Sequence, residues 1–305
     1  LTQERTAVTQ GRSGAVLKSL KKVNYSAWLM LVPGLLLLYF MVWRPVVVGA
    51  GLSLFELKGY EPVRFVGLEN YKRVLSDTLF LKTLLNTVEY VLWSLVIGFL
   101  PPIVVAIMLN EMVHGKSFFK FAIYFPAIVP TVAAAMIWYF LYQPDPNGLL
   151  NLLLSKLHLP ASQWLQNPHL TIPLIVVSMT WKGFGATMIM YLASLQGVNQ
   201  ELYEAAKIDG AGGLRRIWNI TLPQIFPVVM LFFVRQIIAV FQIMIEPMTM
   251  TGGGPNNASV SLALQGYNYA FTFFQPANAL ALGFITFILL MGLTIVYFKL
   301  DRKFG

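Results

Sequence analysis

Six long apolar stretches constrain this chain more than any other feature of its sequence. Each approaches the roughly 20 residues that a helix needs to cross about 30 Å of hydrocarbon. Since an open strand in lipid would leave backbone groups unpaired, each stretch is predicted to be helical. The predicted fold class is therefore an all-α membrane protein with six transmembrane helices. The six stretches are residues 27–50, 83–109, 121–142, 171–195, 224–247 and 277–298.

The composition independently indicates a membrane protein. The chain is 57% hydrophobic and 11% charged, with a mean hydropathy of +0.65, which is more apolar than one soluble core requires. It has no cysteine, which excludes disulfides, Fe–S clusters and thiolate zinc sites. The net charge of +9 does not indicate nucleic-acid binding, because the basic residues flank the apolar stretches and do not form one basic face.

The distribution of Lys and Arg predicts the orientation. With the N-terminus in the cytoplasm, 13 of the 22 Lys and Arg residues lie on the cytoplasmic side, as the positive-inside rule favours. Six spans then place both termini, and the loop at residues 196–223, in the cytoplasm. The first outer loop is also basic, so the orientation depends mainly on the later loops. The 13 residues are Arg5, Arg12, Lys18, Lys21, Lys22, Lys116, Lys120, Lys207, Arg215, Arg216, Lys299, Arg302 and Lys303.

The predicted organisation is one membrane domain with two short tails. Residues 1–26 form a polar cytoplasmic tail, residues 27–298 the transmembrane domain and residues 299–305 a second cytoplasmic tail. The N-terminal region lacks an A-x-A cleavage site, which favours a retained first helix over a signal peptide. Eight prolines predict kinks or interrupted ends in the spans. These prolines are Pro33, Pro45, Pro101, Pro102, Pro126, Pro130, Pro173 and Pro227.

One polar segment, residues 204–223, separates the fourth and fifth apolar stretches. Its first part suits a short helix with a small-residue face, formed by Ala205 and Ala206. Three glycines then end this helix, and the residues after them can begin a second one. Pro223 lies where the chain re-enters an apolar run and where a missing N–H costs little. The segment therefore predicts a helix-turn-helix elbow on the membrane surface that docks a cytoplasmic partner.

The elbow resembles the EAA loop of bacterial ATP-binding-cassette (ABC) importer permeases. The family pattern is E-A-A, three residues, G, nine residues, I, one residue and L-P, and every fixed position matches. Residues 65–71, 75–77 and 251–255 resemble the carbohydrate-uptake members of the family. Glu246-Pro247 departs from the Phe-Asp pair common in relatives, which leaves the local substrate contacts open. The seven matching residues are Glu204, Ala205, Ala206, Gly210, Ile220, Leu222 and Pro223.

The resemblance implies a type I ABC importer permease of the carbohydrate-uptake, maltose-type class in the bacterial cytoplasmic membrane. Such a subunit pairs with a second permease as a heterodimer and receives a sugar or oligosaccharide from an extracytoplasmic solute-binding protein. Its EAA loop docks into a cleft of a cytoplasmic ATPase subunit, and the importer contains two such subunits. ATP and Mg²⁺ are then expected in those subunits, with no catalytic site, cofactor or metal in this chain. Closure of the ATPases moves the elbow and tilts the spans.

Polar side chains inside the spans are the candidate substrate-pathway residues, because a charge at the bilayer centre costs roughly 3 kcal/mol unless it faces protein or water. Lys182 lies in the fourth span. In the fifth span Arg235, Gln242 and Glu246 are predicted within about 40° on one helix face, which faces either the pathway or a structural partner. Glu89 in the second span is predicted to be buried and hydrogen-bonded. The resemblance places sugar contacts in the spans that carry Lys182 and Arg235.

The identity of the sugar stays open at this point. Maltose-like oligosaccharides, acidic oligosaccharides and glycerol phosphates are all transported by permeases that resemble this one. If Lys182 and Arg235 both face the pathway, they favour an anionic substrate such as a uronate oligosaccharide. Glu246 would weaken that preference by neutralising Arg235.

Two other functional classes fit the sequence less well. A secondary transporter driven by an ion gradient requires intramembrane carboxylates and related repeats; Glu89 and Glu246 are the candidate carboxylates, and no repeat is found. A membrane enzyme requires a catalytic cluster at one depth, and the three histidines lie in different loops. Gly115-Lys-Ser117 lacks the preceding glycine of a phosphate-binding loop. Gly252-Gly-Gly254 is better explained as a turn that requires positive φ.

Overall fold

The structure is a computed structural model that describes residues 25–304, with side chains from residue 28 to residue 299. The described chain divides into two units between Leu52 and Ser53. The predicted N-terminal tail, as far as residue 24, and its five basic side chains lie outside the described residues.

The described part of the chain is mostly helical, as predicted, with fifteen α-helices and one short hairpin. In chain order the elements are α1 (Tyr25–Leu38), α2 (Arg44–Leu52), β1 (Phe55–Lys58), β2 (Glu61–Phe65), α3 (Glu69–Ser76), α4 (Thr78–Trp93), α5 (Leu100–Glu111), α6 (Lys116–Tyr124), α7 (Thr131–Leu141), α8 (Leu149–Lys156), α9 (Pro168–Gln196), α10 (Gln200–Ile208), α11 (Gly213–Arg216), α12 (Leu222–Phe241), α13 (Ile245–Thr251), α14 (Leu262–Tyr267) and α15 (Pro276–Phe304). Single π-helical segments join α1 to α2, α4 to α5 and α11 to α12.

Six spans account for the apolar stretches. Five described helices are long and apolar enough to cross a membrane, and a bent pair makes a sixth when its two helices are counted as one span. The five helices are Trp28–Leu52, Thr78–Glu111, Pro168–Gln196, Gly213–Phe241 and Pro276–Lys299. The bent pair consists of Lys116–Ile128 and Thr131–Leu141, which meet at 96°. The last helix continues to Phe304, beyond the span end predicted at residue 298.

The first unit, as far as it is described, is one apolar helix formed by α1 and α2. Its large apolar side chains, such as Leu29 and Met41, are exposed. A continuous apolar surface of this size requires lipid or another subunit around it.

The bend in the third span follows from its prolines. Pro126 and Pro130 have no N–H to donate, and Val129, which precedes Pro130, is extended (φ −67°, ψ 131°), as a following proline ring favours. The bend lies directly against α9, where a Cβ atom on Gly185 would be 2.4 Å from the carbonyl oxygen of Ile123. Glycine at position 185 therefore allows the broken span to seat against the fourth span.

Two clusters of buried apolar side chains lie toward opposite ends of α9. One contains Ile172 and Ile175 near the start of this helix and includes residues of α4, α13, α14 and α15. The other contains Tyr191 and Leu195 near its end and includes residues of α5 and α12. The second cluster supports the elbow, and the first supports the loops at the opposite end of the spans.

The segment that joins α13 to α14, residues 252–261, is fastened to one face of α4. The Asn86 amide donates to the carbonyl oxygens of Asn257 (2.9 Å) and Val260 (3.0 Å). One turn later, the Tyr90 hydroxyl donates to Ser259 O (3.0 Å). We call residues 252–261 the locked segment. It begins at the predicted glycine turn, which is confirmed by positive φ at residues 252 and 253.

A small hairpin, which the sequence interpretation did not include, follows α2. Strands β1 and β2 pair antiparallel, and the Arg64 guanidinium forms an ion pair with Glu56 (3.0 Å). The buried Asn70 amide donates to the carbonyl oxygens of Ser53 (2.8 Å) and Phe55 (2.9 Å). This contact from α3 fixes the hairpin base, and no local pattern in the strands signals it.

Candidate functional site

The first arm of the elbow is α10, which is capped at both ends. The Asn199 side chain accepts a hydrogen bond from the backbone N–H of Glu201 (3.0 Å), which satisfies one of the free donors at the helix start. The helix ends at Gly210 with φ 74°, and the N–H of Ala211 donates to Ala206 O (2.8 Å). This is the left-handed cap that glycine favours, and it confirms the predicted turn.

The second arm is continuous with the fifth span. The helix that begins at Gly213 runs to Phe241 through α11, a π-helical segment at Ile217–Thr221 and α12. The sequence placed the start of this span at residue 224, and the structure moves it back by eleven residues. The π-helical segment lies just before Pro223, which has no N–H to donate, so the helix can continue through the proline with a locally wider turn.

The inner side of the elbow is attached to the helix bundle. The hydroxyl groups of Tyr203 and Thr221 are hydrogen-bonded at 2.8 Å and so connect the two arms. Ile220 and Leu222 pack against the buried cluster at the end of α9. Of the seven residues that match the EAA pattern, Glu204, Ala205, Gly210 and Pro223 are exposed, and Ala206, Ile220 and Leu222 are half-buried.

The outer side of the elbow is apolar and uncovered. Ile208 is 87% exposed, Leu214 75% and Trp218 69%, and we call these three residues the docking face. Glu204 and Lys207 are exposed beside them. Large apolar side chains rimmed by charged ones are typical of a surface that binds another protein.

The structure separates the pathway residues that were predicted on one helix face. Arg235 lies on α12, Gln242 caps the end of that helix, and Glu246 lies on the next helix, α13. The prediction of one continuous polar face is therefore wrong, because the fifth span ends at Phe241 and not at residue 247.

Hydrogen bonds end the fifth span at this point. The N–H groups of Gln242 and Ile243 donate to Ala239 O (3.2 Å) and Val240 O (3.1 Å), which tightens the last turn. The carbonyl of Ile243 accepts a hydrogen bond from the hydroxyl of Ser261 in the locked segment. Since Ser261 lies 18 residues further along the chain, the apolar pattern around Ile243 does not reveal the break.

The two cations of the spans have different surroundings. Lys182 on α9 and Glu246 on α13 are both half-buried and interact electrostatically, although no direct ion pair joins them within the described residues. Arg235 is exposed, and its described side-chain contact runs from Nη1 to the Met190 sulfur at 3.8 Å. A carboxylate therefore compensates Lys182 to some extent, whereas Arg235 lacks such a neighbour among the described ion pairs.

Glu89 does not occupy the buried position that was predicted. Its side chain is exposed on α4 and accepts a hydrogen bond from Trp93 Nε1 (3.4 Å). The buried face of α4 is occupied instead by Asn86, Thr87 and Tyr90. Glu89 consequently points away from the chain's own core, where a charge at membrane depth requires water or a partner subunit.

Thr180 and Gln236 both lie beside Gly98, and the sequence analysis did not select them. A Cβ atom on Gly98 would lie 3.0 Å from Thr180 Oγ1 and 3.2 Å from Gln236 Nε2. Gly98 belongs to the π-helical segment Ser94–Phe99, and such segments are frequent at functional sites. A search for every polar side chain in the spans, and not for charges first, would have found this pair.

Comparisons with known proteins agree with this geometry. The family described as "Binding-protein-dependent transport system inner membrane component" matches residues 98–305. The probable ABC transporter permease protein YurN of Bacillus subtilis is 31% identical over 277 residues, covering 89% of this chain and 94% of that protein. The trehalose/maltose transport system permease protein MalF of Thermococcus litoralis is 33% identical over 276 residues, covering 90% of this chain and 93% of that protein.

A solved structure supports the architecture. A bacterial ABC transporter involved in the import of the acidic polysaccharide alginate superposes with a TM-score of 0.82 at 22% identity, covering 95% of this chain and 99% of that chain. At this identity the similarity establishes the fold, which is that of a type I ABC importer permease. The relatives also favour an ABC importer permease over an ion-driven transporter. The chain therefore belongs to the family of binding-protein-dependent transport system inner membrane components, as the EAA-loop resemblance predicted.

Proposed function

We propose that this chain is one permease subunit of an ATP-driven importer that carries a sugar or oligosaccharide across the membrane. The observation that carries the proposal is the elbow, which combines a complete EAA pattern with an exposed apolar docking face. The docking face binds a cytoplasmic ATPase subunit, and the elbow transmits its movement to the spans. The trehalose/maltose permease among the relatives supports a sugar as the substrate.

The continuous helix from the elbow into the fifth span is the mechanical link. It contains 29 residues, which corresponds to about 43 Å of helix. Trp218 of the docking face lies near one end, and Arg235 and Gln236 lie toward the other. Because one continuous helix carries both groups, displacement of the elbow also displaces the side chains deep in the spans. ATP binding to the ATPases thus favours one conformation of the permease over another.

The remaining partners follow from the same scheme. ATP and Mg²⁺ bind to two ATPase subunits, and this chain contributes no catalytic group. A second permease subunit forms a heterodimer with this one, and its surface supplies the polar partner that exposed Glu89 requires. A solute-binding protein delivers the sugar at the end of the spans opposite the elbow. Both termini then face the cytoplasm, as the Lys and Arg distribution predicts.

A second candidate substrate class is an acidic oligosaccharide. The observation that favours it is Arg235, an exposed cation without a described carboxylate partner. An uncompensated guanidinium in a pathway attracts carboxylates through charge-assisted hydrogen bonds. Tests with neutral and uronate oligosaccharides separate the two classes.

Disruption of the elbow turn tests the proposed function. Gly210→Pro introduces a residue that cannot adopt the φ of 74° found there, and Glu204→Lys reverses a charge beside the docking face. Both variants should remain in the membrane, because the spans are untouched. We expect ATP-driven uptake in proteoliposomes with the ATPase subunits to fall to background for Gly210→Pro and strongly for Glu204→Lys.

Gly59→Pro is the matched control for the turn variant. Gly59 has φ 63° and, like Gly210, no atom within 4 Å of a Cβ built on it, but it lies in the hairpin turn between β1 and β2. The same backbone conflict is therefore created away from the elbow. Full uptake by Gly210→Pro, or equal loss in Gly59→Pro, would refute the assignment of the elbow as the coupling element.

A further inference from the structure

We propose that a pocket beside the start of α9 holds one neutral sugar ring of the transported substrate; this rests on the proposed function. The cavity measures about 250 Å³, the volume of about eight liquid water molecules, which suits a single ring. It lies between the end of α7, the residues before α9 and the segment after α13. The elbow lies at the other end of α9, 29 residues away, or about 43 Å along the helix. The pocket therefore faces the extracytoplasmic side when the elbow faces the cytoplasm.

The side chains with free hydrogen-bonding groups at the pocket are two amides and a phenol. Gln166 makes no side-chain hydrogen bond among those described, and Gln143 makes a long one to Tyr139 O (3.4 Å). An amide both donates and accepts, which matches the hydroxyl groups of a sugar. Tyr139 adds an aromatic ring against which the apolar face of a sugar ring can pack. A mainly apolar wall with a few oriented polar groups is typical of a small-molecule site.

The other hydroxyl groups that line the pocket are already engaged. The buried Tyr142 hydroxyl donates to Leu174 O (3.4 Å). The Thr251 hydroxyl donates to Pro247 O (2.8 Å) and is also bonded to the Ser259 hydroxyl (2.7 Å). Recognition of a ligand therefore falls to the two glutamine amides and the Tyr139 phenol.

One buried asparagine holds two walls of the pocket in place. Asn151 is 1% exposed, and its amide donates to Pro144 O (3.1 Å) and Ser162 O (3.2 Å). Its carbonyl oxygen accepts from Trp164 Nε1 (2.9 Å). Trp164 itself has φ 42°, a strained value for a bulky residue, and such strain concentrates at functional sites. Gln166 lies two residues after Trp164, so this network holds in place the backbone that carries the Gln166 side chain.

The charge of the pocket selects a neutral ring over a uronate. No Lys or Arg lines it within the described residues. Exposed Asp145 follows Pro144 of the pocket rim. Its carboxylate repels the carboxylate of a uronate ring. A carboxylate placed in the pocket would lose water without gaining a cation, which is unfavourable. The pocket therefore admits neutral sugar rings in preference to acidic ones.

Sugar titration of the full chain in lipid nanodiscs, without ATP or the ATPase, tests this proposal. The probes are the neutral trisaccharides maltotriose, cellotriose and xylotriose, and the acidic trigalacturonate, with tryptophan fluorescence as the signal because Trp138 and Trp164 pack against Tyr142 of the pocket wall. We expect at least one neutral trisaccharide to bind at least tenfold more tightly than trigalacturonate. Gln166→Ala should raise the Kd for that neutral trisaccharide at least tenfold.

Gln163→Ala is the matched control, since Gln163 is also exposed, lies three residues earlier and does not line the pocket. The Kd of Gln163→Ala for the neutral trisaccharide should equal that of the parent chain. Both variants should also keep the melting temperature of the parent chain. Absence of neutral-sugar binding, equal weakening by both variants, or tighter binding of trigalacturonate would overturn the proposal. The proposed import function is tested by a different experiment. It would be refuted if ATP-driven uptake survived Gly210→Pro, whatever the pocket binds.

Discussion

The elbow and the locked segment lie on opposite sides of the spans and are built in opposite ways. The elbow is specified locally: Asn199 caps its first helix, Gly210 ends it, and its docking face is exposed. The locked segment is specified by distant residues, since Asn86 and Tyr90 bind its backbone from more than 160 residues earlier. The locked segment therefore contributes to the stability of the chain itself, whereas the exposed docking face is available for the proposed partner.

The same difference separates the expected effects of substitution. A change on the docking face removes little buried surface within the chain, so it should weaken partner binding without unfolding the permease. A change at the face of α4 that holds the locked segment leaves buried carbonyl groups unpaired, so it should lower stability directly.

The largest effect is expected from Ile208→Lys on the docking face. A charged side chain at the centre of an apolar contact should cost about 2 kcal/mol or more of binding, which is about thirtyfold in affinity. The amount of ATPase subunit that copurifies and the rate of ATP-driven uptake should both fall by about this factor. The melting temperature of the isolated permease should not change, because Ile208 is 87% exposed.

Val113→Lys is the control for that variant. Val113 is 85% exposed and lies in the other short loop that is predicted on the elbow side, between α5 and α6. It should retain the ATPase, since it is not part of the docking face. Equal retention by both variants would contradict the docking assignment.

An effect of similar size, on stability and not on partner binding, is expected from Asn86→Ala. The substitution leaves the carbonyl groups of Asn257 and Val260 without their donor, which should cost about 2–3 kcal/mol of unfolding free energy. The expected readout is a lower melting temperature in detergent, with the ATPase still bound to the folded fraction. Asn219→Ala provides the comparison, because exposed Asn219 makes one local hydrogen bond, to Arg215 O (2.8 Å). Equal melting temperatures for the two variants would contradict the claim that contacts to the locked segment stabilise the chain more than those on the elbow.

Local patterns made the elbow predictable, and long-range contacts made the opposite end unpredictable. The EAA spacing and the glycine turn predicted the elbow, and the apolar stretches predicted six spans. The end of the fifth span at Phe241 could not be predicted, because the Ser261 hydroxyl that binds Ile243 O lies on a later segment. The exposure of Glu89 was missed for a related reason, since the neighbours of α4 decide which of its faces is buried.

The interior of the spans could be predicted in part, less well than the elbow and better than the locked segment. Lys182 and Arg235 were found from their charge alone. Their surroundings were not predicted, because the fifth span ends at Phe241 and Glu246 therefore lies on a separate helix. Gln236 and Thr180 carry no charge and were overlooked, although both lie beside Gly98. The residues of the proposed sugar pocket come from three separate segments, and only the tertiary fold brings them together.

An intermediate effect is expected from Tyr203→Phe, which removes the hydroxyl that connects the two arms of the elbow. The loss of this hydrogen bond should cost about 1 kcal/mol and loosen the link between α10 and the fifth span. We expect more ATP to be hydrolysed per sugar transported, with ATPase binding retained. An unchanged ratio would show that the hydrogen bond between Tyr203 and Thr221 does not contribute to coupling.

The smallest effect on neutral-sugar uptake is expected from Arg235→Gln. Its side chain is exposed and its described contact is a weak one to sulfur, so the uptake rate should change by less than about twofold. Lys182→Gln is the companion variant and should have a larger effect, because it removes the cation near half-buried Glu246. Uptake of neutral and uronate oligosaccharides at matched expression is the measurement. Selective loss of uronate transport in Arg235→Gln would instead support the acidic substrate class.

Site-specific crosslinking tests most directly whether the elbow is the surface that binds the ATPase. The chain has no cysteine, so Ile208→Cys introduces a unique thiol on the docking face, and Val63→Cys introduces one on exposed β2 at the other end of the unit. With a short bifunctional thiol reagent and a single cysteine in the ATPase cleft, Ile208→Cys should form a permease–ATPase adduct whose yield changes when ATP is added, and Val63→Cys should form none. An adduct from Val63→Cys, or no adduct from Ile208→Cys in a complex that transports sugar, would contradict the assignment.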